Sequence, residues 1–220
     1  MREITMPSPY SLHILHEGYS RADSTGMDAN CTCSLITGPT NIIVDTMTPW
    51  DKAILTNGLT KHNVNPDDVK LLVSTHGHSD HIGNNNMFLK AKHIVGFNVS
   101  YEHKYFDHSF SYGEELVVDD YVKVIATPGH TLTDVTVLVQ TDDLGLVAIT
   151  GDLFEKEEDL TDESIWMVDA CSEAPKLQEI NRNKILQMVD HIVPGHGPMF
   201  KVTKEMKDRV NNIQNEQHYI

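Results

Sequence analysis

The sequence predicts an α+β fold in which two β-sheets pack together with helices outside, as one domain over residues 1–220. Three observations predict it. Short runs rich in Val, Ile, Leu and Thr recur along the chain, bounded by Gly, Pro, Asn or Asp. Helical periodicity is confined to three segments. Strands come first, then a helix, then strands and helices again. A chain of 220 residues can bury one substantial core, and 40% apolar with 22% charged residues is a globular rather than a disordered composition.

In chain order, strands are expected at Ser11–His16, Cys31–Thr37, Asn41–Asp45, Lys70–Ser74, His93–Gly96, Val122–Ala126, Asp134–Thr141, Gly145–Thr150 and His191–Val193. Asp142-Asp143-Leu144 links two of these as a hairpin. A helix over Pro49–His62 places Ile54, Leu55 and Leu59 on one face, with Thr48 as N-cap and Pro49 in the first turn. A second, Ala174–Val189, has Leu177, Ile180, Ile185 and Met188 as its apolar positions. A third, Val202–Asn215, is polar with a thin stripe at Met206, Val210 and Ile213.

No run of 18 apolar residues is present, so no membrane helix is expected. The N-terminus MREITMPSPYSLHILHEGYS lacks the apolar core of a signal peptide, and the C-terminal NEQHYI carries no lipidation or retention signal. The expected location is cytoplasmic, with the nucleus open to a chain this small. Cys31 and Cys33 could chelate from one strand face, but two small, half-buried strand residues in a reducing compartment is the reading adopted; Cys171 stands alone. With 17 Lys+Arg against 32 Asp+Glu, the formal charge is −15, which repels polyanions.

The chemistry concentrates in LLVSTHGHSDHIGNN, Leu71 to Asn85. An apolar strand runs into His76-Gly77-His78-Ser79-Asp80-His81, so three imidazoles and a carboxylate leave one strand end together. Gly77 lets the backbone turn sharply, and alternation sends His76 and His78 to one side. Zinc and similar ions accept these donors at about 2.0–2.2 Å. Four more strand-like runs end the same way: NIIVD in Asp45, VIATPGH in His130, VAITGD in Asp152 and IVPGH in His196. Singly each is weak, since a lone Asp after a strand is commonly a cap. Together they gather acids and imidazoles at one end of several strands, where sites form in sheet proteins.

From Ser11 to about Phe200 this motif string resembles that of the metallo-β-lactamase superfamily, in order and in full. The resemblance implies an αββα sandwich, two mixed sheets with outer helices and metals at one sheet edge. It implies that His76, His78 and His130 hold a first metal, that Asp80, His81 and His196 hold a second, and that Asp152 bridges them. Asp45 looks like an outer acid that orients the ligand loop, a role to be tested for Asp134 too. Two zinc ions per chain are expected, with iron or manganese as alternatives.

Two cations roughly 3.5–4 Å apart lower the pKa of a shared water from 15.7 toward about 7, so a metal-bridging hydroxide is the expected nucleophile, with Asp80 and Asp152 as catalytic carboxylates. No serine or cysteine nucleophile is required. Branches with cysteine or serine at the position of Asp152 open β-lactams, so antibiotic hydrolysis is not expected. The stretches PYSLHILHEGY, STHGHSDHIGN, ATPGH, GDLFEKEED and IVPGHGPMF resemble a compact animal branch. That resemblance implies endoribonuclease cleavage of RNA, in histone pre-mRNA 3′ processing, by a homodimer. The alternative is a glyoxalase II-like thioester hydrolase of a small molecule, although only about twenty residues follow His196-Gly197-Pro198. An iron persulfide dioxygenase and an inactive binding protein are the readings from other classes. The full ligand set counts against both.

Two further stretches are open. NVSYEHKYFDHSFSY, Asn98 to Tyr112, reads either as a substrate loop whose aromatics stack on bases or as a surface loop tucking aromatics onto the sandwich; the second is preferred. EKEEDLTD, Glu155 to Asp162, reads either as a stretch that steers cations or as a solvated acidic loop; the second is preferred.

Overall fold

The computed structural model describes residues 7–209. The first sheet opens with β1 (Ser11–His16). A hairpin of β2 (Tyr19–Asp23) and β3 (Gly26–Asn30) then stands apart from it. The sheet continues through β4 (Cys33–Thr37), β5 (Asn41–Val44), β6 (Val69–Ser74), β7 (Lys92–Val95), β8 (Asn98–Tyr101) and β9 (Lys104–Phe106), in the spatial order β1-β4-β5-β6-β7-β8-β9. β5, β6 and β7 are parallel neighbours and the other pairs are antiparallel. The second sheet runs in chain order from β10 (Leu116–Val117) through β11 (Val122–Ala126), β12 (Val135–Thr141), β13 (Gly145–Gly151) and β14 (His191–Pro194) to β15 (Phe200–Lys201). Only β13 and β14 pair in parallel there. Both sheets are therefore mixed, as expected.

The continuous apolar runs are explained by burial on both faces. Ile42 and Val44, Leu71 and Val73, Val137 and Val139, Val147 and Ile149 point into the layer between the sheets. The intervening Ile43 and Leu72 face helix α1 (Lys52–Lys61), against Leu55 and Leu59. Leu138 and Ala148 face the other way, against Ile185 and Leu186 of the long C-terminal helix over Pro175–Met188. The order of layers is helix, sheet, sheet, helix. A four-residue turn of helix, α2 (Ser79–Ile82), follows β6, which makes the long helix α3.

Several local expectations change. Pro49–Asp51 forms a 3₁₀ turn before α1, and the Thr48 hydroxyl bonds the Asp51 carboxylate instead of capping the helix. Cys31 and Cys33 are fully buried rather than half-buried, within the apolar layer under α1. Leu177, Ile180 and Met188 lie on the exposed side of α3, while Gln178, Asn181 and Arg182 turn inward. Residues 98–112 form β8, β9 and a turn, with Phe110 buried between the sheets while Tyr105 and Tyr112 are exposed. The expected helix over Val202–Asn215 is present at 204–209, and 210–215 lie outside the described residues. No helix among the described residues is long and apolar enough to cross a membrane.

Candidate metal centre

The donors are brought together by strand ends. β6 delivers Thr75 and His76. The chain then turns through His78 into α2, whose first turn carries Asp80 and His81. The loop after β11 carries His130, β13 runs into Asp152, and β14 runs through Pro194-Gly195 into His196. Gly195 is required there: a Cβ on it would overlap Asp152 Oδ1. The ends of β5, β6, β11, β13 and β14 thus meet at one edge of the paired sheets.

His76 Nε2 lies 2.9 Å from His78 Nδ1, which lies 3.1 Å from His130 Nε2. Nitrogens bound tetrahedrally at about 2.0–2.1 Å stand about 3.3 Å apart, so these three atoms could serve one ion with little adjustment. Asp80 Oδ2 is 3.8 Å from His81 Nε2 and 3.7 Å from His196 Nε2, which forms a second cluster. Asp152 lies between the two. Its Oδ2 is 3.5 Å from His76 Nε2, and 3.3 Å from each Nε2 of His130 and His196; its Oδ1 is 3.2 Å from His81 Nε2. His81 Nε2 and Asp152 Oδ1 are buried without a hydrogen-bond partner among the described residues. These two orphaned atoms, set among five imidazoles and two carboxylates, fit cations.

The far nitrogens of these rings are held. His81 Nδ1 donates to Asp45 Oδ2 at 3.0 Å, and Asp45 also accepts from the Thr75 amide at 2.8 Å and the Thr75 hydroxyl at 3.0 Å. Asp45 makes these bonds from a left-handed backbone conformation, φ 57°, which costs a non-glycine residue about 1–2 kcal/mol. His196 Nδ1 donates to the carbonyls of Asn30 and Tyr19 at 3.1 and 3.2 Å. Asp45→Ala is therefore expected to weaken retention of metal at the His81 cluster about 10–100-fold, measured as metal content after graded chelator challenge. Unchanged retention would remove Asp45 from that role.

Asp134 takes another position. Its carboxylate accepts from the amides of Gly129 and Thr131, at 3.1 and 2.7 Å, and from the Thr131 hydroxyl at 2.6 Å. It shapes the loop that carries His130 and bonds no imidazole among the described residues. Burial pushes its carboxyl up to about 7. The His130 Nδ1 atom has no partner among the described residues.

The electrostatics of the cluster are those of buried opposite charges. Burial alone would raise the Asp152 carboxyl, but the imidazoles of His81, His196 and His76 hold it well below the usual carboxylate range. Burial would likewise lower His196, and Asp152 carries it instead up to about 9. His76, buried beside His81, is pushed well down.

One neighbour of the centre lies in the stretch expected to be a solvated loop. Glu155 is buried, and its Oε2 is 3.9 Å from His196 Nε2. Burial, then the Asp152 carboxylate, push its carboxyl well above the usual range. Its signal was its place, three residues beyond Asp152 and after the apolar Leu153-Phe154. The acidic-loop reading therefore fails at both Glu155 and Asp159, which are buried.

Above the donors is a cleft of about 250 Å³. His78, Asp80, His130, Asp152, Glu155 and His196 form its floor; Ala22, Met27 and Ala29 of the β2–β3 hairpin form one wall, and Ile165, Ala170 and Cys171 another. Lys156 is the one lysine or arginine among its lining residues, and residues 98–112 do not line it.

The model of the metallo-beta-lactamase superfamily matches residues 26–207. The chain is 42% identical over 201 residues to metallo-beta-lactamase domain-containing protein 1 of Xenopus laevis, covering 90% of this chain and 84% of that one. It is 36% identical to the Homo sapiens protein of the same name, with 90% and 84% covered. Among solved structures, a Thermotoga maritima protein assigned to the metallo-beta-lactamases superposes with a TM-score of 0.66 at 21% identity, covering 88% of this chain and all of that one.

Proposed function

We propose, from the premise that the chain belongs to the metallo-beta-lactamase superfamily, that it hydrolyses phosphodiester bonds in RNA at a two-metal centre. It is a metal-dependent hydrolase of that superfamily with candidate dinuclear metal sites. The observation that carries the two-metal reading is the position of Asp152, whose two oxygens stand 3.2–3.5 Å from four imidazole nitrogens. One carboxylate so placed can serve both ions.

In this reading His76, His78 and His130 hold one ion, and Asp80, His81 and His196 hold the other. When bound, two such cations supply a water acidified from pKa 15.7 toward about 7 and neutralise charge growing on the attacked group. The chain supplies the rest. Asp45 fixes the His81 ring, and the Asn30 and Tyr19 carbonyls fix the His196 ring, so each Nε2 is oriented before substrate arrives. Asp80, with a fifth of its side chain exposed in the cleft, would meet the second ion through Oδ2 and leave its other oxygen, Oδ1, to take the proton of the attacking water. Lys156 is placed to meet a phosphate oxygen. Two zinc ions per chain, a homodimer and a cytoplasmic or nuclear location belong to the same reading.

The cleft favours one other substrate class. Ala22, Met27, Ala29, Ile165 and Ala170 make apolar walls, and with a chain charge of −15 they suit a small acyl thioester better than a long polyanion. The assay that separates the two is cleavage of a single-stranded RNA by the zinc-reconstituted chain at low salt, beside a panel of acyl thioesters. RNA cleavage that disappears with chelator and in Asp152→Ala is the expected result. Intact RNA from a protein with two metals bound would overturn the RNA reading, and thioester turnover under those conditions would put the acyl class in its place.

A further inference from the structure

Beside the second cluster stands one acid that the resemblance does not assign, Glu155, and among the described residues its carboxylate takes part in no hydrogen bond. Glu155 ends the segment that leaves β13 through Asp152. Its main chain is fixed on both sides: its amide donates to Asp159 Oδ2 at 2.7 Å, and its carbonyl accepts from the His196 amide at 2.8 Å. Its side chain lines the cleft, only 4% exposed. Oε1 has no hydrogen-bond partner, and no lysine or arginine pairs with the carboxylate among the described residues. An isolated buried carboxylate is costly, and a cation beside it removes most of that cost.

The distances fit a shared ion. Glu155, Asp152 and His196 each offer one donor atom, all within 4.8 Å of one another, and Glu155 Oε2 stands 3.9 Å from His196 Nε2. Donors at about 2.1 Å around a five- or six-coordinate ion stand between about 3.0 and 4.2 Å apart.

We infer that Glu155 is an eighth protein donor of the centre, joining the second position through His196 and Asp152, the two ligands it stands beside. The inference rests on the two-metal reading. It turns the second position from a site of mixed donors into one with three carboxylates and two imidazoles. Four donors satisfy zinc, whereas five that are mostly oxygen suit manganese(II) or iron(II). The first position, with three imidazoles, keeps its ordinary fit to zinc. Glu155 thereby narrows the advantage zinc would have at the second position and favours a centre of two different metals.

The test is metal binding, read without turnover. Metal-free wild type, Glu155→Gln and Glu155→Asp are titrated with Co²⁺, Mn²⁺ and Zn²⁺, with content measured by elemental analysis after desalting. The wild type is expected to retain two equivalents. Glu155→Gln is expected to keep the first and to hold the second about 10–100-fold more weakly, with a larger loss for Mn²⁺ than for Zn²⁺ and an altered Co²⁺ visible spectrum. Glu155→Asp keeps the carboxylate and should fall between them, which guards against a folding defect in the amide variant. A Gln variant that takes both equivalents at wild-type affinity with an unchanged Co²⁺ spectrum would overturn the inference and leave the two-metal reading standing. A wild type that takes only one equivalent would instead overturn the two-metal reading itself, and this inference with it.

Discussion

Asp152→Ala is expected to lower kcat/KM by about 10³-fold or more on whichever substrate the wild type turns over, and to reduce bound metal below two per chain. The size follows from what this one carboxylate touches. Its Oδ2 faces His76, His130 and His196 and its Oδ1 faces His81, and no other described residue spans both clusters. Alanine removes a donor from each position and the anion that balances two cations brought close together. The same change strips the metal-free protein of the carboxylate that keeps His81 and His196 above the ordinary imidazole range. Turnover, elemental content and a thermal melt on one preparation separate the outcomes. A folded variant that retains two metals and turns over within about tenfold of wild type would dismiss Asp152 as the shared ligand.

The seven proposed ligands could be read from the sequence because each stands just past an apolar strand, and strand ends are local signals. The chain's own order of strand and donor carries them, whatever the tertiary arrangement. The β2–β3 hairpin had no such signal. Arg21, Ala22, Asp23, Gly26, Met27 and Asp28 are exposed, so no alternation of apolar and polar residues marks its strands. The hairpin forms through ladder bonds and an Asp23 carboxylate that accepts from the Thr25 and Gly26 amides. It nonetheless supplies a wall of the cleft.

Helix α3 shows the converse case. A helix is expected at Ala174–Val189 and forms over Pro175–Met188, yet of its four expected apolar positions only Ile185 is buried, and its inward face near the centre is polar. Gln178 Nε2 donates to the carbonyls of Asp152 and Leu153, and Asn181 Nδ2 donates to that of Pro128. These side chains hold the two loops that carry Asp152 and His130. Their partners lie 26 and 53 residues away in the chain, so nothing in the local pattern announces them. For the same reason the acidic run after Asp152 reads as solvated: only the arrival of α3 buries part of it.

Arg182 is the residue that buries it, and Arg182→Ala is expected to destabilise the fold by about 3–5 kcal/mol, which for a chain of this size lowers Tm by roughly 10 °C. The guanidinium makes a bidentate pair with Asp159, Nη2 to Oδ1 at 2.6 Å and Nη1 to Oδ2 at 3.0 Å, and also donates to the Leu153 carbonyl at 2.8 Å. It is packed against aromatic rings, with Cζ 4.2 Å from the Phe154 ring centre and 4.9 Å from that of Trp166. Alanine would leave the Asp159 carboxylate, wholly buried, without its cation. Arg182→Lys cannot restore the paired geometry and should recover only part of the loss. Removing both charges in Arg182→Ala/Asp159→Asn should cost less than Arg182→Ala alone, because the largest component is the stranded anion rather than the missing attraction. The effect should also reach the metal centre. Asp159 accepts from the Glu155 amide, and Arg182 anchors the Leu153 carbonyl, so the segment 152–155 loses two of its fixed points. Metal retention by Arg182→Ala should therefore fall below wild type at temperatures where the variant is still folded. A Tm within about 2 °C of wild type would contradict the buried-pair argument, whereas a large drop in Tm with wild-type metal retention would show that the pair supports the fold without positioning the ligands.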